Sequence, residues 1–156
     1  MNFTIKRAEG KDHKYFPIIC DWQYNWWGKT NRNSFQQVER YMENSMCFDK
    51  IPQTYIAFLD DIPVGMYQIQ MYDLDTRPDL YPWLVNVYVD EQYRGQGICS
   101  KLMNHAIETF RNLKIEEVFL YTKHINLYEK YGWEFIGEVE TFKEDSPIER
   151  LYQYKI

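Results

Sequence analysis

The stretch WLVNVYVDEQYRGQGIC, residues 83–99, contains the pattern that decides the fold. Its first seven residues are apolar on both faces apart from Asn86, which is typical of a strand in the middle of a sheet. A polar turn follows, and the glycine-rich segment 94–97 then leads into a helix. The apolar residues of that helix recur at helical spacing, at Ile98, Leu102, Ala106, Ile107, Phe110 and Leu113. The stretch therefore predicts a buried strand, a glycine loop and a helix in immediate succession.

The glycine loop has the features of an anion-binding site. A helix N-terminus leaves backbone N–H groups without acceptors and carries partial positive charge. Gly95 and Gly97 lack Cβ atoms, so a phosphate can approach the backbone, and Arg94 adds a fixed cation. Residues 98–100 do not supply the Lys-Ser/Thr of a P-loop, and Ser100 replaces the third glycine of a dinucleotide fingerprint. A turn that only changes the direction of the chain stays an alternative.

Periodicity on either side of this stretch predicts a mixed α/β sheet with the order β α α β β β α β α β β. The predicted strands are residues 3–6, 54–59, 63–72, 83–89, 117–121, 135–139 and 151–156, and the predicted helices are about 14–27, 34–47, 98–113 and 127–131. Asp60-Asp61 is a hairpin signal, and Ser34 with Gln37 forms a capping-box pattern. No linker or repeat divides the chain, so we expect one domain over residues 1–156.

Composition narrows the class of protein. The chain has 156 residues, 45% of them apolar and 18% aromatic, which predicts a globular domain. No apolar run approaches the roughly 18 residues of a membrane span, and residues 1–10 contain no signal-peptide core. The net charge of −5 disfavours a nucleic-acid partner and favours a cationic substrate.

Cysteine and histidine usage indicates a reducing compartment and no metal site. The three cysteines are far apart and match neither a zinc motif nor a disulfide scaffold; they are Cys20, Cys47 and Cys99. The three histidines also lack ligand spacing; they are His13, His105 and His124. We therefore expect a cytoplasmic protein without a metal.

Two segments resemble the GNAT superfamily of acyl-CoA-dependent N-acyltransferases. The family's pyrophosphate loop reads Gln/Arg-x-x-Gly-x-Gly/Ala, and Arg94, Gly97 and position 99 match it. Residues 127–133, LYEKYGW, resemble the family's second motif, Leu-Tyr-x-Lys-x-Gly-Phe. The element order also matches, so the resemblance covers nearly the whole chain. Cys99 departs from the usual Gly or Ala, and it is interpreted either as a small buried residue or as an oxidation-sensitive thiol.

The resemblance implies a mostly antiparallel central sheet flanked by helices, with splayed strands at the cofactor site. It also implies acetyl-CoA as the acyl donor, whose pantetheine arm pairs with exposed strand backbone. The residues that would bind it are Val87, Tyr88 and Val89 of the strand, Arg94, Gly95, Gln96, Gly97, Ile98 and Cys99 of the loop, and Asn126, which lies closer to Leu127 than the family's asparagine does.

The resemblance further places a general acid at Tyr128. An amine would attack the thioester carbonyl directly, and Tyr128 would give its proton to the leaving thiolate. A phenol has a pKa of about 10, so it holds its proton at neutral pH.

The acceptor is expected to be a small, cationic primary amine, and four residues are candidates to bind it. Asp73 and Asp75 belong to one of two acidic segments, 73–79 and 138–145, which would otherwise be solvated loops. Trp22 and Trp26 share a helical face, so Trp27 points elsewhere and is the pocket candidate. Asn86 either orients substrate or water, or is a satisfied core amide.

Two other functions stay open. A non-catalytic relative would bind acyl-CoA as a sensor or as a subunit of a complex, and a peptide or protein N-acetyltransferase would need an open groove. Neither a membrane nor a nucleic acid is expected as a partner, and a homodimer is left open.

Overall fold

The computed structural model describes the whole chain, residues 1–156, and is built around a seven-stranded sheet with the strand order β1-β2-β3-β4-β5-β7-β6. The strands are β1 Phe3–Arg7, β2 Gln53–Leu59, β3 Ile62–Gln70, β4 Trp83–Val89, β5 Glu117–Thr122, β6 Glu134–Glu140 and β7 Ile148–Lys155. The helices are α1 Phe16–Gln23, α2 Phe35–Glu43 and α3 Ile98–Asn112, joined by a π-helical turn Tyr24–Gly28 and by 3-10 turns Glu91–Tyr93 and Tyr128–Tyr131. None of these helices is long and apolar enough to cross a membrane.

The strand pairing confirms the predicted mixed, mostly antiparallel sheet. β1 pairs with β2, and β7 pairs with both β5 and β6, in antiparallel register. Asp60 and Asp61 form the predicted two-residue hairpin between β2 and β3, and Asp60 adopts φ 54. β4 and β5 are parallel and pair at Trp83 and Phe119.

The chain folds into two compact units whose segments alternate along the sequence. The first unit contains residues 1–68 and 86–102, and the second contains residues 69–85 and 103–156. The core of the first unit includes Ile19, Cys20, Val38, Met42, Ile56 and Met66. The core of the second unit comprises Leu74, Trp83, Val85, Phe119, Val139 and Leu151. The single domain expected over residues 1–156 stays a prediction.

The predicted first helix differs from the observed one in a way that matters for its tryptophans. α1 ends at Gln23, and the next turn is π-helical, with the Lys29 N–H donating to the Tyr24 oxygen at 2.9 Å. Bonds from i to i+5 bring residues five apart onto one face, whereas an α-helix aligns residues four apart. Trp27 therefore packs against the core with Trp22, and Trp26 is 52% exposed. The prediction that Trp27 points away from the core is wrong, whereas Trp22 and Trp26, predicted to share a face, both contact the Tyr88 ring.

α2 begins as its sequence predicts. The Ser34 hydroxyl accepts from the Gln37 N–H at 3.1 Å, and the Gln37 side chain accepts from the Ser34 N–H at 2.8 Å. This reciprocal capping box satisfies two N–H groups that the first turn leaves without acceptors. The helix ends at Glu43 rather than near residue 47, because Asn44 leaves the helical conformation.

Candidate active site

The glycine loop between β4 and α3 has the geometry of an anion cradle. Gly95 and Gly97 adopt φ 77 and φ 79, in the left-handed region that favours glycine. A Cβ added at either position would meet no atom within 4 Å, so the space in front of this backbone is open. The Lys101 N–H donates to the Gly97 oxygen at 3.3 Å at the start of the helix, and the N–H groups of residues 95–97 donate to no backbone carbonyl. These donors and the open approach fit a diphosphate.

Arg94 supplies the positive charge of this loop and is held at one end. Its Nε donates to the Val89 oxygen at 2.9 Å, and its guanidinium lies 4.9 Å from the centre of the Trp26 ring and 5.5 Å from that of Tyr88. The side chain is exposed, and its guanidinium also interacts with the Tyr88 phenol. Stacking on two aromatic faces restrains a long, flexible side chain while its outer edge remains available to an anion.

Tyr88 lies at the centre of an aromatic cluster in the first unit. Its ring centroid is 5.2 Å from that of Trp22, 5.6 Å from that of Trp26 and 6.3 Å from that of Trp27. Burial and the nearby Asp90 carboxylate raise the pKa of the Tyr88 phenol above its usual value, although Arg94 opposes them. The side chain of Tyr88 is thus committed to packing.

Backbone groups at the end of β4 form hydrogen bonds both to β3 and to Arg94 of the glycine loop. The Asp90 N–H donates to the Val64 oxygen at 2.8 Å, so this residue faces β3. A Cβ added at Gly65 would lie 2.7 Å from the Tyr88 oxygen, which explains a glycine at that point of close approach. Because backbone groups alternate along a strand, Val87 and Val89 face away from β3. They are the residues of this strand suited to pair with an extended ligand.

Asn86 stands at a distorted position of β4 and takes part in a buried polar network. Its backbone adopts φ 53, which is unusual for a residue other than glycine and is best tolerated by Asn and Asp. Its Nδ2 donates to Gln68 Oε1 at 2.6 Å and to the Tyr41 hydroxyl at 3.1 Å. Gln68 Nε2 in turn donates to Thr54 Oγ1 at 2.9 Å, and Thr54 donates to the Ser45 oxygen at 2.9 Å. We call these five residues the Asn86 network.

Only Asn86 among the members of this network was predicted from the sequence. Gln68 and Thr54 are fully buried, although they lie in largely apolar strands. Buried polar side chains in a strand are the signal that points to them. Their partners come from α2 and from the segment after it, so the pairing depends on the tertiary fold rather than on any local motif.

Tyr128 opens a 3-10 turn in the second unit and is half-buried. Gly132 closes that turn with φ 88, as expected from the sequence. The Tyr128 ring lies 6.0 Å from that of Tyr152, whose hydroxyl donates to Glu129 at 3.1 Å and accepts from Arg150 at 2.9 Å. The turn that presents Tyr128 is therefore fixed by a charged network behind it.

Asn126 precedes the same turn by two residues. It is exposed and adopts φ 62. Its predicted contact with the cofactor, like the acid role of Tyr128, stays a prediction.

The two acidic segments predicted from the sequence meet in the second unit. The Thr76 hydroxyl donates to the Glu140 oxygen at 2.5 Å and joins them. Burial raises the pKa of Asp73 to about 7, opposed by the Lys143 ammonium and reinforced by Glu149. Lys143 itself pairs with Glu149 at 3.0 Å, and exposed Asp75 accepts a hydrogen bond from the Tyr72 hydroxyl.

The candidate residues thus divide between the two units. The first unit brings together Asn86, the strand 87–89, the loop 94–99 and Trp27, and the second contains Asp73, Asp75, Asn126 and Tyr128. No group of three or more His, Cys, Asp or Glu side chains is arranged to hold a metal ion.

Comparison with known proteins identifies a curated relative and many related structures. A spermine/spermidine N(1)-acetyltransferase of Bacillus subtilis (strain 168) is 31% identical over 75 residues, which cover 44% of this chain and 49% of that protein. The chain therefore matches about half the length of this relative. A GNAT family acetyltransferase from Elizabethkingia anophelis with acetyl-CoA bound has a TM-score of 0.71 at 19% identity over 99% of both chains. An aminoglycoside 6'-N-acetyltransferase complexed with coenzyme A has a TM-score of 0.76 at 12% identity, over 97% of this chain and 96% of that one.

The family assignment rests on the match of a family model to the sequence itself. The model of the acetyltransferase (GNAT) family matches residues 18–133, which include both the glycine loop and the Tyr128 turn. These matches show that the chain belongs to the acetyltransferase (GNAT) family, a family of acyl-CoA N-acyltransferases.

Proposed function

We propose that the protein transfers an acetyl group from acetyl-CoA to the primary amine of a small, cationic acceptor. The observation that carries the proposal is the glycine loop, where two left-handed glycines, the start of α3 and the outer edge of Arg94 surround open space. The pyrophosphate of the donor fits this arrangement, and two solved relatives contain acetyl-CoA or coenzyme A.

The roles of the chain's own residues follow from that placement. The loop 94–99 holds the diphosphate, and the backbone of Val87 and Val89 pairs with the extended arm of the donor. The amine nitrogen forms a bond to the acetyl carbon, the carbon–sulfur bond breaks, and the sulfur takes a proton from Tyr128. The amine releases its own proton to solvent, and Tyr128 regains a proton from solvent. The assignment of Tyr128 comes from the resemblance of residues 127–133 to the family's second motif.

A cationic acceptor is supported by charge and by the curated relative. The protein has a net charge of −5, and its acidic segments meet in the second unit. The relative from Bacillus subtilis is named for spermine and spermidine, which are polyamines. Asp73, Asp75 and Trp27 remain candidate acceptor residues. Trp27 is partly buried because the π-helical turn directs it toward the core, so only the exposed part of its ring could contact an acceptor.

The donor site is tested by Gly97→Glu, which places bulk and negative charge in the cradle. Acetyl-CoA binding measured by calorimetry should be lost, because a Glu strains the backbone at this left-handed φ and its negative charge repels a diphosphate. Gly10→Glu is the matched control, since Gly10 also has a positive φ and open space around it. Equal affinities of a folded Gly97→Glu variant and the unaltered protein would refute the donor site.

The reaction is tested by incubating the protein with acetyl-CoA and a panel of amines and by following the free thiol released. The panel contains polyamines, aminoglycosides, amino acids and peptides. If acetyl-CoA binds but no amine in the panel causes release of the coenzyme A thiol, a non-catalytic sensor would be favoured. Release with peptides alone would favour a peptide N-acetyltransferase.

A further inference from the structure

The orientation of the Asn86 side chain is determined by a carbonyl several residues away. The Ser45 carbonyl oxygen can only accept a hydrogen bond, so the Thr54 hydroxyl donates its single hydrogen to it, at 2.9 Å. Thr54 Oγ1 must then accept from the amide nitrogen of Gln68, and this leaves Gln68 Oε1 as an acceptor. The direction of hydrogen bonding is therefore fixed from Ser45 outward.

Asn86 meets this fixed acceptor with its amide nitrogen. Nδ2 donates to Gln68 Oε1 at 2.6 Å and to the Tyr41 hydroxyl at 3.1 Å, so both of its hydrogens are committed. The Tyr41 hydroxyl also donates to Gln68 Oε1, at 3.1 Å. Rotating the amide of Asn86 would bring two carbonyl oxygens together, so the network excludes the flipped orientation.

The same orientation leaves Asn86 Oδ1 as an acceptor that the protein does not use. No donor in the protein contacts it, and the side chain is only half-buried, whereas Gln68 and Thr54 behind it are fully buried. A rigid carbonyl oxygen at the edge of a buried network is preorganised to accept from an N–H group of a ligand.

The position of Asn86 along β4 relates this oxygen to the donor proposed above. A strand rises about 3.3 Å per residue, so Asn86 lies about 10 Å back from Val89, on the side away from the loop. A donor held by its diphosphate at the loop, with its arm along Val89 and Val87, would bring its acyl end toward Asn86.

We propose that Asn86 Oδ1 accepts a hydrogen bond from the amine that is to be acetylated and so positions the nitrogen for attack. The Ser45–Thr54–Gln68 chain, together with Tyr41, acts through Asn86 by holding its amide in the required orientation. This inference rests on the proposed acetyltransferase function and adds the residue that recognises the reacting nitrogen.

The first test is Asn86→Gly, which removes the amide and keeps a backbone that tolerates φ 53. We expect kcat/KM for the amine to fall about 10- to 100-fold, the range for a lost hydrogen bond to a charged group. The KM for acetyl-CoA should stay within about twofold, because the loop is unchanged. Calorimetry of the best amine with protein saturated with coenzyme A should show the same loss without any turnover.

The second test separates positioning from stability with a matched pair of hydroxyl deletions. Tyr41→Phe removes the hydroxyl that contacts both Asn86 and Gln68, and Tyr55→Phe removes one that donates to Gln53 at 2.9 Å outside the network. Tyr41→Phe and Thr54→Val should raise the KM for the amine, and Tyr55→Phe should leave it unchanged. Circular dichroism verifies that each variant is folded.

The outcomes distinguish the two levels of the proposal. If the unaltered protein releases no thiol with any amine, the proposed function fails and this inference fails with it. If it turns over an amine and Asn86→Gly has unchanged amine affinity and kcat/KM, only the role of Asn86 is refuted. A loss of acetyl-CoA affinity equal to the loss of amine affinity would instead assign Asn86 to the structure of β4.

Discussion

At the scale of single residues, the proposed role of Tyr128 as general acid can be tested directly by one substitution. Tyr128→Phe should lower kcat about 100-fold or more, because a proton given to the leaving sulfur matters mainly in the transition state. The dissociation constant for acetyl-CoA should change little. Tyr131→Phe, in the same 3-10 turn, serves as the control. Single-turnover measurements separate chemistry from product release, and unchanged chemistry in Tyr128→Phe would mean that another group protonates the sulfur.

The Asp73 carboxyl is expected to make the stability of the protein depend on pH. Its pKa is about 7 in the folded protein and 3.8 normally, because burial disfavours the charged form. Between these values the folded protein holds a proton that the unfolded chain releases, so this contribution to stability is present at low pH and is lost as pH rises through 7. The difference corresponds to at most about 4 kcal/mol.

Asp73→Asn removes that titration while keeping the shape of the side chain. We expect the free energy of unfolding of the variant, relative to the unaltered protein, to be higher near pH 8 than near pH 4. Urea denaturation at both pH values measures the difference. A relative stability that is independent of pH would show that Asp73 titrates alike in both states.

At the scale of elements, the π-helical turn assigns different roles to two adjacent tryptophans. Trp27 packs against the core of the first unit, so Trp27→Ala should lower the free energy of unfolding by about 3 kcal/mol. Trp26 is 52% exposed, so Trp26→Ala should cost far less. Denaturant titrations of the two variants give the comparison, and equal losses would contradict the π-helical register.

The elements that the sequence predicted well are those that local chemistry decides. The β4–loop–α3 succession, the Asp60-Asp61 hairpin and the Ser34 capping box each depend on residues close together in the chain. The π-helical turn was not predicted, because its extra residue is accommodated by tertiary packing and carries no periodic signal.

The candidate site was predictable where a contiguous motif exists. The glycine loop and the turn at Tyr128 are of this kind, and the family match includes both. The Asn86 network combines α2, the segment after it and three strands, so only Asn86 itself, a polar residue in an apolar strand, was visible in the sequence.

At the scale of the whole molecule, the net charge predicts how the KM for the acceptor changes with salt concentration. With a net charge of −5, attraction of a polycationic amine should weaken as salt rises, because exposed charges are screened beyond about 10 Å at 0.1 M. The KM for a polyamine should therefore increase with ionic strength more than that for a monoamine. Steady-state kinetics over a range of salt concentrations measure both.

The acidic segment of the second unit should carry part of this effect. The pair Asp73→Asn and Asp75→Asn should raise the KM for a polyamine, most clearly near pH 8, where Asp73 is charged. The pair Asp12→Asn and Asp49→Asn removes two exposed carboxylates of the first unit and controls for net charge. Equal effects of both pairs would assign the attraction to overall charge alone.

The contact between Arg94 and Trp26 gives the protein an optical signal of its own. Indole emission responds to a charge a few ångströms from the ring, and the guanidinium of Arg94 lies 4.9 Å from the centre of this half-exposed ring. A diphosphate that pulls the guanidinium away or shields its charge will alter the emission of one of five tryptophans. Occupancy of the loop can therefore be followed in unlabelled protein, and Trp26→Phe is the variant in which that signal disappears.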